Sequence, residues 1–179
     1  MAEPEECRHP NSDCDARLLH PDSLRYCGQY DSLSQDTLRI VLDTNVLLAA
    51  VLSDQGASRQ ILQEGLDGSY IGLCSVALML EYESVLNRPE HLLDSGLSES
   101  DVETLPDGAS RAIQPVKFSY LWRPMLKDPN DEMILETAVN GEADLVVTMN
   151  LRHLEAGLNR FGIEALGPGP ALTKIRKRR

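Results

Sequence analysis

No apolar run in these 179 residues approaches the roughly 20 needed to cross a bilayer. No membrane-spanning helix is therefore expected, and no membrane partner. The opening MAEPEECRHP lacks the apolar segment of a signal peptide. Cysteine is scarce: four in so long a chain do not make a disulfide scaffold, and a reducing cytoplasm is the expected location. Cys7, His9, Cys14, His20 and Cys27 match no paired zinc-ligand spacing. There is no Gly-rich phosphate loop, no G-x-S-x-G elbow and no internal repeat.

What remains is an ordinary globular composition, 42% apolar and 25% charged. The length suffices for one core, since a domain near 150 residues buries roughly 70% of its unfolded surface. The net charge is -11 and unevenly spread. Residues 39–173 hold 20 acids and nine bases, whereas 174–179 hold five bases and no acid. An acidic body does not bind nucleic acid by charge alone. It is suited to gathering carboxylates around metal ions.

The texture divides the chain in three. Residues 1–38, with three prolines and little periodicity, read as a disordered N-terminal extension. Residues 39–166 read as the folded domain. Residues 167–179 read as a Gly/Pro-rich and basic tail, serving either as a flexible phosphate arm or only as a solubilising one. Within the domain, β-prone runs at Ile40–Leu42, Tyr70–Cys74, Pro115–Leu121, Leu145–Thr148 and Ile163–Leu166 alternate with helical patterns. The helices fall at Val46–Ser53, Ala57–Leu66, Val76–Asn87, Pro129–Asn140 and Leu151–Leu158, with Ser98–Leu105 ambiguous. That alternation predicts an α/β fold with a mainly parallel sheet covered on both faces. Chemistry in such folds lies outside the carboxyl ends of the strands.

Asp43 ends the first strand, so it stands at that edge, although Asp-Thr-Asn before a helix is also ordinary capping chemistry. Asn150 follows the fourth strand and belongs to the same edge. Asp144 begins that strand, roughly 13–16 Å away, and is structural. Asp128, with Pro129 after it, reads as a helix N-cap. Asp131 shares a helical face with Ile134, Leu135 and Ala138, where a carboxylate is costly unless paired, protonated or bound to a cation. Glu132, Glu136 and Asn140 form the opposite, wettable stripe. Periodicity does not choose between Glu81 and Glu83. His91 and His153 lack a partner pattern and read as surface residues, and Cys74 as buried packing. Tyr120 and Trp122 serve either base stacking or the core, with the core favoured.

Four strings now carry a resemblance. Val41-Leu42-Asp43-Thr44-Asn45-Val46, then SVALMLEYESVL at 75–86, DPNDEMILETA at 128–138 and ADLVVTMNLRHL at 143–154 resemble the four motifs of PIN-domain ribonucleases, in order and over about 39–166. The nearest group is the bacterial toxins of toxin–antitoxin pairs. The resemblance implies a PIN-like three-layer α/β/α sandwich and metal-dependent cleavage of single-stranded RNA. It implies Asp43, Glu81, Asp131 and Asn150 as catalytic residues, with Asp43, Asp131 and Glu81 holding Mg²⁺ or Mn²⁺. Thr44, Asn45, Thr148 and Asp128 would orient waters or phosphate. Arg88, Arg123, Lys127 and Arg152 would meet RNA phosphates. An antitoxin protein and a homodimer are the partners implied. One departure stands out: the fourth motif usually ends Thr-x-Asp, and here it is Thr148-Met149-Asn150. An amide oxygen still ligates such ions, but one negative charge is missing. That change is consistent with a PIN-fold scaffold that binds RNA or protein without catalysis; a metal-dependent phosphatase for small phosphate esters is a third alternative.

Overall fold

The computed structural model describes residues 37–178 except 54, 97, 99, 101, 103–112, 122, 127 and 130. The expectations for the N-terminal extension, for its cysteines and histidines, and for Trp122, Lys127 and Arg179 lie outside the described residues, as does most of 98–105. Five strands, β1 (Arg39–Leu42), β2 (Ile71–Ser75), β3 (Ile113–Val116), β4 (Leu145–Val147) and β5 (Glu164–Leu166), form one sheet. It is parallel throughout, in the order β3-β2-β1-β4-β5. The helices are α1 (Thr44–Leu52), α2 (Ala57–Leu66), α3 (Val76–Leu86), α4 (Pro89–Ser95), α5 (Glu132–Asn140), α6 (Leu151–Leu158) and α7 (Pro168–Lys177). A 3-10 turn, Asn159–Phe161, follows α6.

The strands are apolar on both faces, and their period of two sorts side chains into two cores. Ile40, Leu145 and Val147 pack with Val46, Ile61, Ala171, Leu172 and Ile175, under α1, α2 and α7. Val41, Leu73 and Val146 pack with Leu78, Tyr82, Leu135, Ala138, Leu154 and Leu158, under α3, α5 and α6. The result is the expected three-layer α/β fold. From β1 the chain winds outward to β2 and β3, then returns to the other side of β1 for β4 and β5. The strand order therefore reverses between β1 and β4, the place where such sheets open a crevice at their carboxyl ends. Leu42 and Val147, the last residues of those two strands, are in register there.

Four expectations are corrected. The third strand is Ile113–Val116 rather than Pro115–Leu121. It is an edge strand, where Pro115 forfeits no central ladder bond. The helix expected from Pro129 begins at Glu132, with Asp131 as its N-cap and a turn before it. The Gly/Pro-rich segment opens helix α7, with proline in its first turn, instead of ending the fold. Ala171, Leu172 and Ile175 recur at helical spacing and are buried, while Arg176 binds Glu64 at 2.9 Å and Lys174 pairs with Glu164. Those two bases are tied to the body and do not form a flexible arm.

The fourth correction concerns the polar stripe of α5. Glu132 and Glu136 are 2% and 0% exposed. The connection from β3 runs along this stripe and covers it. Asn140 Oδ1 accepts the backbone N–H groups of Ser119 and Tyr120 at 2.9 and 3.0 Å. The Glu136 carboxylate accepts two bonds from the Arg123 guanidinium, at 3.0 and 2.9 Å. Glu132 Oε1 accepts the backbone N–H groups of Met125 and Leu126, at 2.6 and 2.8 Å. A buried polar group is tolerable when its bonds are made in this way, as they are for Asn140 and Glu136, whereas Glu132 Oε2 is buried without a hydrogen bond. Leu126 also seats against Gly157 of α6, where a Cβ would lie 2.6 Å from it. The spacing i, i+4, i+8 thus fastens a connection that leads straight to Asp128.

Candidate active site

Asp43 is 3% exposed and sits where β1 passes into α1. Its backbone N–H continues the ladder to the Val147 carbonyl at 2.9 Å. Its carbonyl accepts the N–H groups of Val46 and Leu47, which starts the helix. Its Oδ2 accepts a 2.5 Å bond from the Thr148 hydroxyl, and Oδ1 a longer 3.4 Å bond from the Asn45 N–H. The Thr148 hydroxyl in turn accepts the Asn150 N–H at 2.9 Å. Asp43 is therefore both a cap and a buried carboxylate at the crevice; the two readings of it are compatible.

Asp131, at the start of α5, lies near enough to Asp43 for the two carboxylates to repel. Its side chain is 18% exposed, and its Oδ2 is buried with no hydrogen-bond partner. The His153 Nδ1 stands 3.5 Å away without closing a hydrogen bond. Burial raises the Asp131 pKa above the ordinary carboxylate range; Asp128 and Asp43, both negative, raise it further, while His153 opposes them. One ligand atom each from Asp128, Asp131 and His153 lie within 4.8 Å of one another. Asp43 is close enough to repel Asp131, yet neither it nor Glu81 belongs to that group.

Asn150 caps α6, and its Nδ2 lies 2.7 Å from His153 Nδ1, one turn along. His153 is thus no partnerless surface residue, although its side chain is 54% exposed. It lies between Asn150 and Asp131. His91 is corrected too: it is half-buried, with Nδ1 2.7 Å from the Val85 carbonyl. Glu81 and Glu83 are both half-buried on α3, and burial does not choose between them. Thr44 and Asn45 form the first turn of α1. Arg88 and Arg152 are exposed, whereas Arg123 is held by Glu136. Tyr120 is 68% exposed, so it is no core residue. Cys74 is buried, which pushes its thiol up to about 12. Asp144 Oδ2 accepts the Arg39 N–H at 2.8 Å, at the opposite end of β4.

Two residues escape the motif reading. His153 is three residues beyond Asn150, a spacing that places both on one helix face, and that was the available signal. Tyr82 lies between the two glutamates of α3, and its hydroxyl donates a 2.5 Å bond to the Leu42 carbonyl. It fixes the end of β1 directly before Asp43. A tyrosine four residues after Leu78 is placed for the core, and a buried hydroxyl needs a partner.

These residues fit a divalent cation. A largely buried carboxyl group beside two further acids, with only the His153 imidazole 3.5 Å away to offset them, is an arrangement that a positive charge would favour. Oxygen donors with one imidazole are a reasonable set for ions between Mg²⁺ and the first transition row.

The model of one family, described as PIN domain, matches residues 39–152. PIN domains are in general nucleases that use divalent metals. The comparison with curated proteins returns no match. Among solved structures, one described as VapBC2 from Rickettsia felis bound to a DNA fragment from their promoter is similar at 14% identity. The likeness covers 73% of this chain and 98% of that one, with a TM-score of 0.47.

Proposed function

The chain belongs to the PIN domain family, and on that premise we propose that it is a metal-dependent endoribonuclease acting on single-stranded RNA. The observation that carries this reading is the group of Asp128, Asp131 and His153, whose ligand atoms lie within 4.8 Å of one another, with Asp43 near enough to raise the Asp131 pKa. Asp43 and Asp131 would hold Mg²⁺ or Mn²⁺, with Asp128 beside them and Glu81 from α3. A bound dication lowers the pKa of water and stabilises charge on phosphate oxygens.

The chain's own residues supply position. Thr148 holds the Asp43 carboxylate by a 2.5 Å bond, so its second oxygen is aimed by the sheet rather than by a free rotamer. Glu132 holds the backbone that leads into Asp128. Arg88 and Arg152 would meet phosphates on either side of the crevice, offsetting the acidic body locally. Lys127 belongs to the same expectation, while Arg123 serves it only if Glu136 releases it. A single strand suits this site because its bases are accessible.

A free nuclease is harmful to its own cell, so we place the chain as the toxin of a toxin–antitoxin pair in the cytoplasm, as a homodimer. An antitoxin would block the crevice with an Arg or Lys paired to its carboxylates. Asn150 in place of an acid favours one other reading, a scaffold without catalysis. The test is cleavage of labelled single-stranded RNA with Mn²⁺, Mg²⁺ or EDTA, in the native chain, Asp43→Asn and Asp131→Asn. Metal-dependent cleavage lost in both variants is the expected result. Absence of cleavage in every condition, with Mn²⁺ binding also absent by calorimetry, would favour the scaffold.

A further inference from the structure

We propose that Glu132 is a positioning residue for the cation site: its carboxylate holds the chain that enters Asp128 in the place where Asp128 and Asp131 share one ion. The inference rests on the metal-site reading above and deepens it. Glu132 directly follows Asp131 and opens α5, and it is 2% exposed. Its Oε1 accepts the N–H groups of Met125 and Leu126 at 2.6 and 2.8 Å, and Leu126 stands two residues before Asp128. One residue therefore spans the two arms of the acidic group. By its backbone it continues Asp131, and by its carboxylate it grips the approach to Asp128.

The turn between those arms does not fix them unaided. The Asp131 N–H reaches the Asp128 carbonyl at 3.2 Å and the Glu132 N–H the Pro129 carbonyl at 3.4 Å, both long. The two acids joined by that turn repel each other. The bonds from Met125 and Leu126 are shorter, and a carboxylate acceptor makes such bonds stronger than a neutral one does. Glu132 Oε2, by contrast, is buried without a hydrogen bond. Such an oxygen weighs against the fold, so stability alone does not account for a glutamate here. Glu132 is not one of the group whose ligand atoms lie within 4.8 Å of one another, so it acts through Asp128 rather than on the ion. Glu136 and Asn140 grip the same connection one and two turns further along α5. They fasten the connection, and Glu132 sets where it ends.

The test is the Mn²⁺ affinity of the full chain by calorimetry, with a urea melt of each variant beside it. Glu132→Gln keeps the accepting oxygen and loses the charge, so it should bind Mn²⁺ within about threefold of the native chain. Glu132→Asp keeps the charge and shortens the reach by one carbon, so it should bind about tenfold more weakly, as when an orienting partner is lost. Asn140→Ala loosens the same connection two turns away, and should lower stability while leaving Mn²⁺ within about twofold. In an Asp128→Ala background Glu132→Asp should weaken Mn²⁺ no further, since the carboxylate it positions is gone. Weaker binding by Glu132→Gln than by Glu132→Asp would mean that charge acts rather than position, and would overturn the proposal. Equal losses from Glu132→Asp with and without Asp128 would overturn it too. Either result leaves the metal site standing. A native chain that binds no Mn²⁺ removes the metal-site reading, and the positioning role with it.

Discussion

Two neighbouring carboxylates sit under opposite conditions. Asp43, at the junction of β1 and α1, is almost wholly buried and has a partner at each oxygen. Asp131, at the start of α5, is less buried, and its Oδ2 has only the His153 imidazole, 3.5 Å away. Burial alone would rank Asp43 as the costlier acid. Partners reverse the ranking, because a buried charge is costly mainly when its bonds are missing. Asp43 joins two strands and a helix in addition to any chemistry it performs. Asp131 contributes little to the folded body and keeps an oxygen for something outside it.

The sharpest way to break this comparison is to remove each side chain and measure stability in urea with EDTA present. Asp43→Ala should cost about 2–4 kcal/mol, since it deletes a cap and leaves the Thr148 hydroxyl buried without an acceptor. Asp131→Ala should cost no measurable stability. Equal losses would show that the two acids are equally structural. Next in size, Thr148→Val keeps the volume but strands the Asp43 Oδ2, and should cost about 1–3 kcal/mol. It should also weaken Mn²⁺ by calorimetry, because the Asp43 carboxylate is no longer held. Tyr82→Phe, which removes the hydroxyl bond to the Leu42 carbonyl, should cost about 1 kcal/mol by the same melt. A larger loss there than for Thr148→Val would place the anchor of β1 on α3 rather than on β4.

Much of the Asp43 side of this contrast is legible in the sequence. Val41-Leu42-Asp43 and Val146-Val147-Thr148 each show an apolar run ending in a polar residue, and a parallel sheet brings such ends to one edge. The Asp131 side is less legible, for a physical reason. Glu132, Glu136 and Asn140 have the spacing of a solvated stripe, and spacing does not reveal that Ser119, Tyr120, Arg123, Met125 and Leu126 will bond to them. Their burial is a tertiary event, decided by the Arg123 pair and by backbone N–H groups that no side-chain pattern displays. The same holds for α7. Gly167-Pro168-Gly169-Pro170 reads as a terminator, yet proline is accepted in the first helical turn, and Ala171, Leu172 and Ile175 lie on one face. His153 was hidden because a histidine three residues from an asparagine is common and becomes informative only when Asp131 arrives from another helix.

The smallest effect expected is also the one of opposite sign. Asp131 has its pKa raised by burial first and then by Asp128 and Asp43. The folded chain therefore holds the Asp131 proton to higher pH than the unfolded chain does. Below the ordinary aspartate range, near pH 3.9, the group is protonated in both states and the favourable term is fully present. It is lost as pH rises through the folded-state value, and above that the ionised carboxylate weighs against the fold. Asp131→Asn carries no such charge. In EDTA near pH 7 it should melt slightly above the native chain, by less than Tyr82→Phe melts below it. Near pH 3 the difference should vanish. With saturating Mn²⁺ the order should invert, since an ion that binds only the folded state stabilises by about 2.7 kcal/mol at 100 times its Kd, and the variant has lost a ligand. A variant that melts below the native chain in EDTA at pH 7 would mean that Asp131 is held by the fold after all. Its bare oxygen would then have no bearing on a cation.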